Sequence, residues 1–577
     1  MILCLLTLLD SGSFFAPYLI AGLAAFFCLL RNRTADTDRK CRTYYIIVIV
    51  SLIVAIFITF ANHSIWVHPV MPDIRSALFV RICKLLLILI LMSGIYVIVS
   101  NILVFLWSDP ESIMPVVREK IKRPSLFFFI PFALLLIMYL TIYLCCYYPG
   151  ILSVDSIDQI GQYFSGEYSN HHPFYHTVLI GLFLRVGLAV FGNINSAVAA
   201  YVIFQIIFMA AVFSFVIYNM VLLVMPRWLV VITAIWYCVM PFHIMYSFTV
   251  WKDVPFGAFV ACFITFYIRI MTETGNIKLN YIGFSVCGPC ICLFRSNGLF
   301  AYVFVFLALV LLAKKQKKLL YITGTTILVC LFLKHGVLKF YNVAPADTVE
   351  SLSIPLQQIS RVIVEDGYIE DGDRELLSQI IDIDSVKDTY DPRISDPIKN
   401  MIRDYGDQDY LSQNMGAFAG VYLRTLAHNP LTYVVAWTDS TCGYWNSGYE
   451  YWIWFWDVQS NSYGITRSIA SESVLHAMDE YLWLYYNNNI LQVFTSIGLF
   501  VWILFLLLAV SIFSGNRTAT ISTVPIFAII LSLLISSPVF SEFRYMYAMF
   551  CSLPIIIAIT LSRSAVCKRE EADEDNM

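Results

Sequence analysis

The chain runs to 577 residues, 59% hydrophobic and 16% aromatic, with 13% charged and a net charge of −3. Soluble domains carry about 25% charged residues, so composition excludes a soluble enzyme and offers no basic surface for nucleic acid. A mean hydropathy of +0.74 points the same way.

Apolar runs such as Tyr45 to Phe60, Leu85 to Val104 and Leu499 to Phe513 reach or approach the ~20 residues that cross a bilayer as helix. The ~10-residue alternating segments of a membrane β-barrel are absent. The fold class is therefore an all-α polytopic membrane protein. The opening MILCLLTLLDSGSFF has neither a basic start nor a small-residue cleavage site, so it reads as membrane chain and not as a cleaved signal peptide. The 15 cysteines are scattered through apolar runs without disulfide spacing and read as small apolar fillers.

In chain order, spans are predicted at about 13–30, 43–61, 82–106, 126–146, 197–222, 228–247, 254–272, 279–293, 297–313, 319–334, 487–513, 522–540 and 545–562. These 13 crossings put four basic connections on one face: Arg31 to Arg42, Arg118 to Arg123, Lys314 to Lys318, and the tail with Arg563, Lys568 and Arg569. The positive-inside rule makes that face cytoplasmic. Arg227, Lys278 and Arg517 agree with it, whereas Arg75, Arg81 and Lys84 fall on the outer side. Thr177 to Phe191 is apolar but short and carries Arg185 near its middle, a charge that costs at least ~2.5 kcal/mol in lipid. It is expected to lie in the outer interface.

The organisation that follows is an N-terminal membrane region over 1–125 with three spans, then a membrane core over 126–334 with an outer loop at 147–196. Residues 335–486 form an extracytoplasmic region, first acidic and helical, then an aromatic belt (YWNSGYEYWIWFW). Three C-terminal spans occupy 487–562, and 563–577 is a cytoplasmic tail. CGPC at Cys287 to Cys290 has redox-pair spacing, but within GFSVCGPCICLF it reads as a proline-kinked span.

Three outer connections carry polar groups that anchoring does not require. The first, YYPGILSVDSIDQIGQYFSGEYSNHHPFYH, places Asp155 and Asp158 on one helix face, followed by His171, His172 and His176. The second, MYSFTVWKDVPF, sets Lys252 and Asp253 at the rim. The third group is Arg295 in FRSNG and Arg544 in SEFRY, each between two spans. A carboxylate can take a proton from an acceptor hydroxyl, and Arg or Lys can hold a lipid phosphate and stabilise its departing charge. Each residue also has a structural reading: helix capping for the aspartates, snorkelling for Lys252 and Arg544, and a rigid loop or a metal site for the histidines.

VDSID, NHHP and WKDVP, in that order, resemble the GT-C superfamily of membrane glycosyltransferases, which use polyprenyl-phosphate or -diphosphate sugars. The likeness implies Asp155 as catalytic base, with Asp158 the second candidate, and Asp253 as the acid of a later outer loop. It makes Lys252, Arg295 and Arg544 contacts to the donor phosphate, and His171 and His172 stand where the family usually has Lys-Pro. More closely, PGILSVDSIDQ, HHPFYHT, WKDVPF, FRSNGL, IPLQQISR and FRYMY look like an uncharacterised bacterial family of multi-spanning proteins grouped near the GT-C enzymes. In IPLQQISR, Gln357, Gln358 and Arg361 either bind a ligand or pack a helix. The resemblance implies transfer of a sugar, with a polyprenyl-phosphate-linked sugar as donor and an envelope glycan or lipid as acceptor. It also implies a multi-pass plasma membrane protein whose active site is extracytoplasmic. No cofactor is demanded, and the His cluster leaves room for a divalent metal. The competing class is a transporter or flippase of an envelope lipid or polymer. That function calls for midplane ionisable residues or repeated halves, and neither shows in the sequence.

Overall fold

In lipid every backbone polar group must be satisfied within the segment, which selects helix for an apolar chain. The computed structural model describes residues 51, 52, 96, 124–446 and 453–562. Within them the elements are helices, joined by isolated β-bridges and no named strand. The three N-terminal spans, the basic residues at 31–42 and 118–123, Arg75, Arg81, Lys84 and the 563–577 tail lie outside the described residues.

The membrane core opens with α1 (Leu126–Cys146), α2 (Val154–Ser165), α3 (Phe174–Phe191) and α4 (Ile194–Leu222). It continues with α5 (Arg227–Val239), α6 (Pro241–Ser247), α7 (Asp253–Met271), α8 (Ile277–Phe294), α9 (Gly298–Leu312) and α10 (Lys317–Phe340). The smaller helical region includes α11 (Ser353–Val364) and α12 (Pro430–Thr441). The chain then returns through α13 (Glu472–Asn487), α14 (Ile497–Phe513), α15 (Arg517–Ser536) and α16 (Phe543–Leu561).

Among the described residues eight helices are long and apolar enough to cross a membrane, or nine if the bent pair α5–α6 is one span. Seven of the eight coincide with expected spans; the eighth is α3. The expected 228–247 span is broken by a 54° bend before Pro241, whose ring removes a backbone donor. The expected 487–513 span begins ten residues late, because the Ser496 side chain caps Leu499 N and starts α14 there. CGPC lies inside α8, with Pro289 in the helix.

Helix directions follow from side-chain pairings. Phe208 meets Phe259 and Phe215 meets Phe266, so α4 and α7 run parallel. Phe263 stacks on Phe284 while Arg269 donates to Asn280, so α8 runs back against α7. Gly257 faces Tyr547 and Ala548, which sets α16 parallel to α7. Asn297 donates to Ser532 at 2.9 Å, fixing α15 antiparallel to α9. One end of the bundle therefore gathers the starts of α7, α9 and α16 with the ends of α8 and α15. The described basic connections, at Arg227, Lys278, Lys314 to Lys318 and Arg517, all fall at the opposite end.

The contacts of α3 stay at the first of these ends. Phe183 meets Tyr201 and Phe204, and Gly187 sits so close to Ala197 that an added Cβ would lie 2.5 Å from its Cα. His176 meets Phe294, the last residue of α8, and the Tyr175 hydroxyl donates to Leu333 O on α10. α4 is 29 residues long, about 43 Å, yet these α3 contacts reach no further along it than Phe204. A helix crossing beside α4 would track its length; α3 lies across one end.

Residues 349–433 hold a second, separate apolar core, with Leu356, Ile359, Ile398 and Tyr433 buried. The aromatic stretch behaves otherwise than a belt. Tyr444, Trp445 and Trp454 are buried in the main core, and residues 447–452 lie outside the described residues.

Candidate functional site

The first outer segment is fastened before its acid appears. Ile151 N donates to Phe248 O and Val250 N to Ile151 O, both at 2.9 Å, so the chain before α2 runs beside the chain before α7. Ser153 and Ser156 form a capping box at the start of α2. Ser156 then donates to Val250 O at 2.6 Å, and the Trp251 indole donates to Ser153 Oγ at 2.7 Å. These bonds fix Asp155, in the first turn of α2, against Lys252, the N-cap of α7. Each carboxylate, Asp155 and Asp253, occupies a helix first turn, where the dipole favours negative charge.

Arg544 completes the cluster from the other end of the chain. Its guanidinium donates to Asp155 Oδ2 at 2.8 Å, and Lys252 Nζ lies 3.6 Å from the same oxygen. Arg544 Nε lies 3.2 Å from Glu542 Oε1. Arg295 approaches the fully buried Asp253 at 3.0 Å and donates to Tyr545 O at 3.0 Å. The Tyr545 ring links the two pairs, with Arg295 4.5 Å and Arg544 5.3 Å from its centroid. Arg544 also lies 5.1 Å from the Trp251 ring centre, a stacking that suits a delocalised cation.

His172 is buried and accepts from Lys252 Nζ at 3.0 Å through Nδ1. An ammonium has only donors, so this contact assigns the neutral tautomer with its proton on Nε2, the atom 3.7 Å from Asp158. Burial and the Lys252 charge push the His172 pKa down, in agreement. His176, the i+4 partner, turns elsewhere: its ring nitrogens bond Gln159 and Tyr201. Among the described residues no group of three or more His, Cys, Asp or Glu is placed to hold a metal ion.

The structure thus brings together Asp155, Lys252, Asp253, Arg295 and Arg544, with the buried His172 beside them and His171 and Asp158 on the exposed flank. It does not bring in Gln358 or Arg361. Gln358 donates to Tyr433 O and accepts from Tyr422, inside the second core. Arg361 is paired with Glu365 and Asp439. Both side chains are engaged at α11 and take no part in the ion pairs of the cluster. Glu542 is the residue sequence reasoning passed over, although it stands two positions before Arg544 in a connection between apolar spans.

Burial would raise the Asp155 carboxyl, but Arg544 and Lys252 override it and hold the group well below the usual carboxylate range. For Glu542 burial wins, and its carboxyl is pushed up to about 7 despite Arg544. With Glu542 protonated, three cations face two carboxylates, which leaves a net positive site at this end of the bundle.

A pH prediction follows from Glu542. A folded pKa above the unfolded value means the native state holds the proton more tightly, so stability falls as pH rises from about 4.5 through about 7. Asp155 contributes oppositely but below its unfolded range, so it is constant across that window. Wild type is expected to melt lower at pH 8 than at pH 5.5, with the loss smaller in Glu542→Gln. Equal pH dependence in both would place the titration elsewhere.

A family model described as a family of unknown function, DUF6020, matches residues 165–575. The chain therefore belongs to that family. The match covers Lys252, Asp253, Arg295, Glu542 and Arg544 and begins beyond Asp155. No curated protein and no solved structure matches the chain.

Proposed function

We propose that this DUF6020 member is a membrane glycosyltransferase of GT-C type, transferring a sugar from a polyprenyl-phosphate-type lipid to a cell-envelope acceptor. The observation that carries the reading is the ionised Asp155 held between Arg544 and Lys252, beside the Arg295–Asp253 pair. This cluster sits at the bundle end opposite the described basic connections. By the positive-inside rule the cluster end faces outward, where a lipid carrier presents its head group. α3, lying across that end, fits an interfacial helix.

The resting ion pairs explain how a strongly acidic carboxylate acts as a base. While Arg544 and Lys252 hold it, Asp155 is deprotonated but a poor proton acceptor. A lipid phosphate binding to those same cations supplies their counter-charge and frees the carboxylate. The acceptor hydroxyl then gives its proton to Asp155 as its oxygen bonds the anomeric carbon. The carbon–oxygen bond to phosphate breaks in the same displacement, its electron pair leaves with the phosphate, and the configuration inverts. Arg544, Lys252 and Arg295 stabilise the charge that develops on the departing phosphate.

Deleting the gene and comparing envelope glycans and lipid-linked sugars by mass spectrometry tests the reading. Loss of one sugar, with accumulation of its lipid-linked donor and recovery on complementation, is the expected outcome. Loss of the same sugar with its lipid-linked donor confined to the inner leaflet would favour a flippase instead.

A further inference from the structure

Beside the charged cluster lies an open groove of about 620 Å³, between α2 and the turn at 460–463. Asp158, Gly161 and Gln162 line it. They recur at i, i+3 and i+4 on one face of α2, and Asp155 stands one turn earlier on that face. The seven steps from Gln162 back to Asp155 span about 10 Å of helix, so an occupant lying along α2 leads to the carboxylate.

The opposite wall is built and held. Asn461 Oδ1 accepts from Tyr463 N and Ile465 N, each at 3.1 Å, which closes the turn. The Tyr463 ring stacks on Phe164 at 5.3 Å, and its hydroxyl closes on Gly161, where a Cβ would come within 2.7 Å. The chemistry of the lining narrows the occupant. Serines, Gln162, Asn461 and Tyr463 line the groove with Ile157, Asp158 and two histidines, and among the described residues no Lys or Arg does. An anionic group would meet Asp158 without a lining cation to offset it, and an acyl chain would strand those polar groups. A peptide added as a strand needs a sheet edge, and among the described residues no named strand borders the groove.

We propose that this groove binds a neutral carbohydrate, the acceptor of the transfer reaction, laid along α2 with one hydroxyl directed to Asp155. The inference rests on the glycosyltransferase reading and adds the chemical class of its acceptor. Serine, amide and imidazole groups hydrogen-bond the hydroxyls, while the Tyr463 ring offers an apolar face to sugar C–H groups.

Saturation-transfer NMR on the full-length protein in detergent tests it, with maltotriose, cellotriose and chitotriose as probes and a Gly-Ser-Thr-Ser-Gly peptide as comparator. At least one trisaccharide is expected to bind at millimolar concentration, with affinity falling about tenfold or more in Tyr463→Ala. Where Tyr463→Ala does not fold, Ser462→Arg on the exposed turn obstructs the groove and is expected to give the same loss. The proposal is overturned if no trisaccharide binds up to about 10 mM, if binding is indifferent to the substitution, or if the peptide alone binds. Because binding is read without turnover, a chain that binds the sugar but leaves envelope glycans unchanged on deletion refutes the transferase reading and not the groove.

Discussion

Asp155→Asn is expected to lower sugar transfer by about 10²- to 10⁴-fold, the contribution of a positioned general base. Asparagine keeps the size of the side chain and still accepts a hydrogen bond from Arg544, but it removes the counter-charge to Arg544 and Lys252, so the donor KM is read beside kcat to separate proton transfer from donor binding. The comparison variant is Asp158→Asn. Its carboxylate is 56% exposed and lies 3.7 Å from the neutral His172; because it lines the acceptor groove, that variant is expected to raise the acceptor KM while kcat stays within a few-fold of wild type. Both proteins are assayed with purified lipid-linked donor after matching thermal midpoints. Retained transfer in Asp155→Asn with loss in Asp158→Asn would move the base one turn along α2. Retention in both would remove the base from this helix altogether and leave the charged cluster as a binding site without chemistry.

Legibility in the sequence divides along physical lines. Spans read well where hydrophobicity alone decides, as for α1, α4, α7 and α16, because lipid makes helix the low-energy choice for any long apolar run. Boundaries failed where a local group intervenes: the Ser496 cap delays α14, and Pro241 bends the α5–α6 pair. The aromatic stretch near Trp445 and Trp454 was misread because composition cannot distinguish a ring at the interface from one packed inward. The charged cluster was legible as residue types, since an acid or cation at the rim of an apolar chain stands out. What the sequence lacked was pairing: Asp155 and Arg544 are 389 positions apart, and only the parallel course of α7 and α16 brings their loops together. IPLQQISR offered the same type of signal as WKDVP, but Gln358 is held within the second core and Arg361 is paired with Glu365 and Asp439, so neither joins the ion pairs of the cluster.

Arg295→Met is expected to be the most destabilising single change at the site, at about 3–5 kcal/mol. The Asp253 side chain is 0% exposed and that of Arg295 7%, so removing the guanidinium strands a carboxylate with no water to replace it. Methionine fills a similar volume and keeps contact with Phe256 and Tyr545, the two rings beneath the guanidinium, so packing loss is not the main cost. The double variant Arg295→Met with Asp253→Asn is expected to regain most of the lost stability, because a neutral amide in place of the stranded charge escapes the desolvation penalty. Thermal midpoints in detergent for wild type, both single variants and the double variant close the cycle. If Arg295→Met alone melts like wild type, Asp253 has another counter-charge or access to water, and the buried pair cannot be what anchors α7 beside α16. If the double variant recovers its fold but transfers no sugar, Arg295 acts on the donor phosphate as well as on Asp253, and structure and chemistry at this pair are separable.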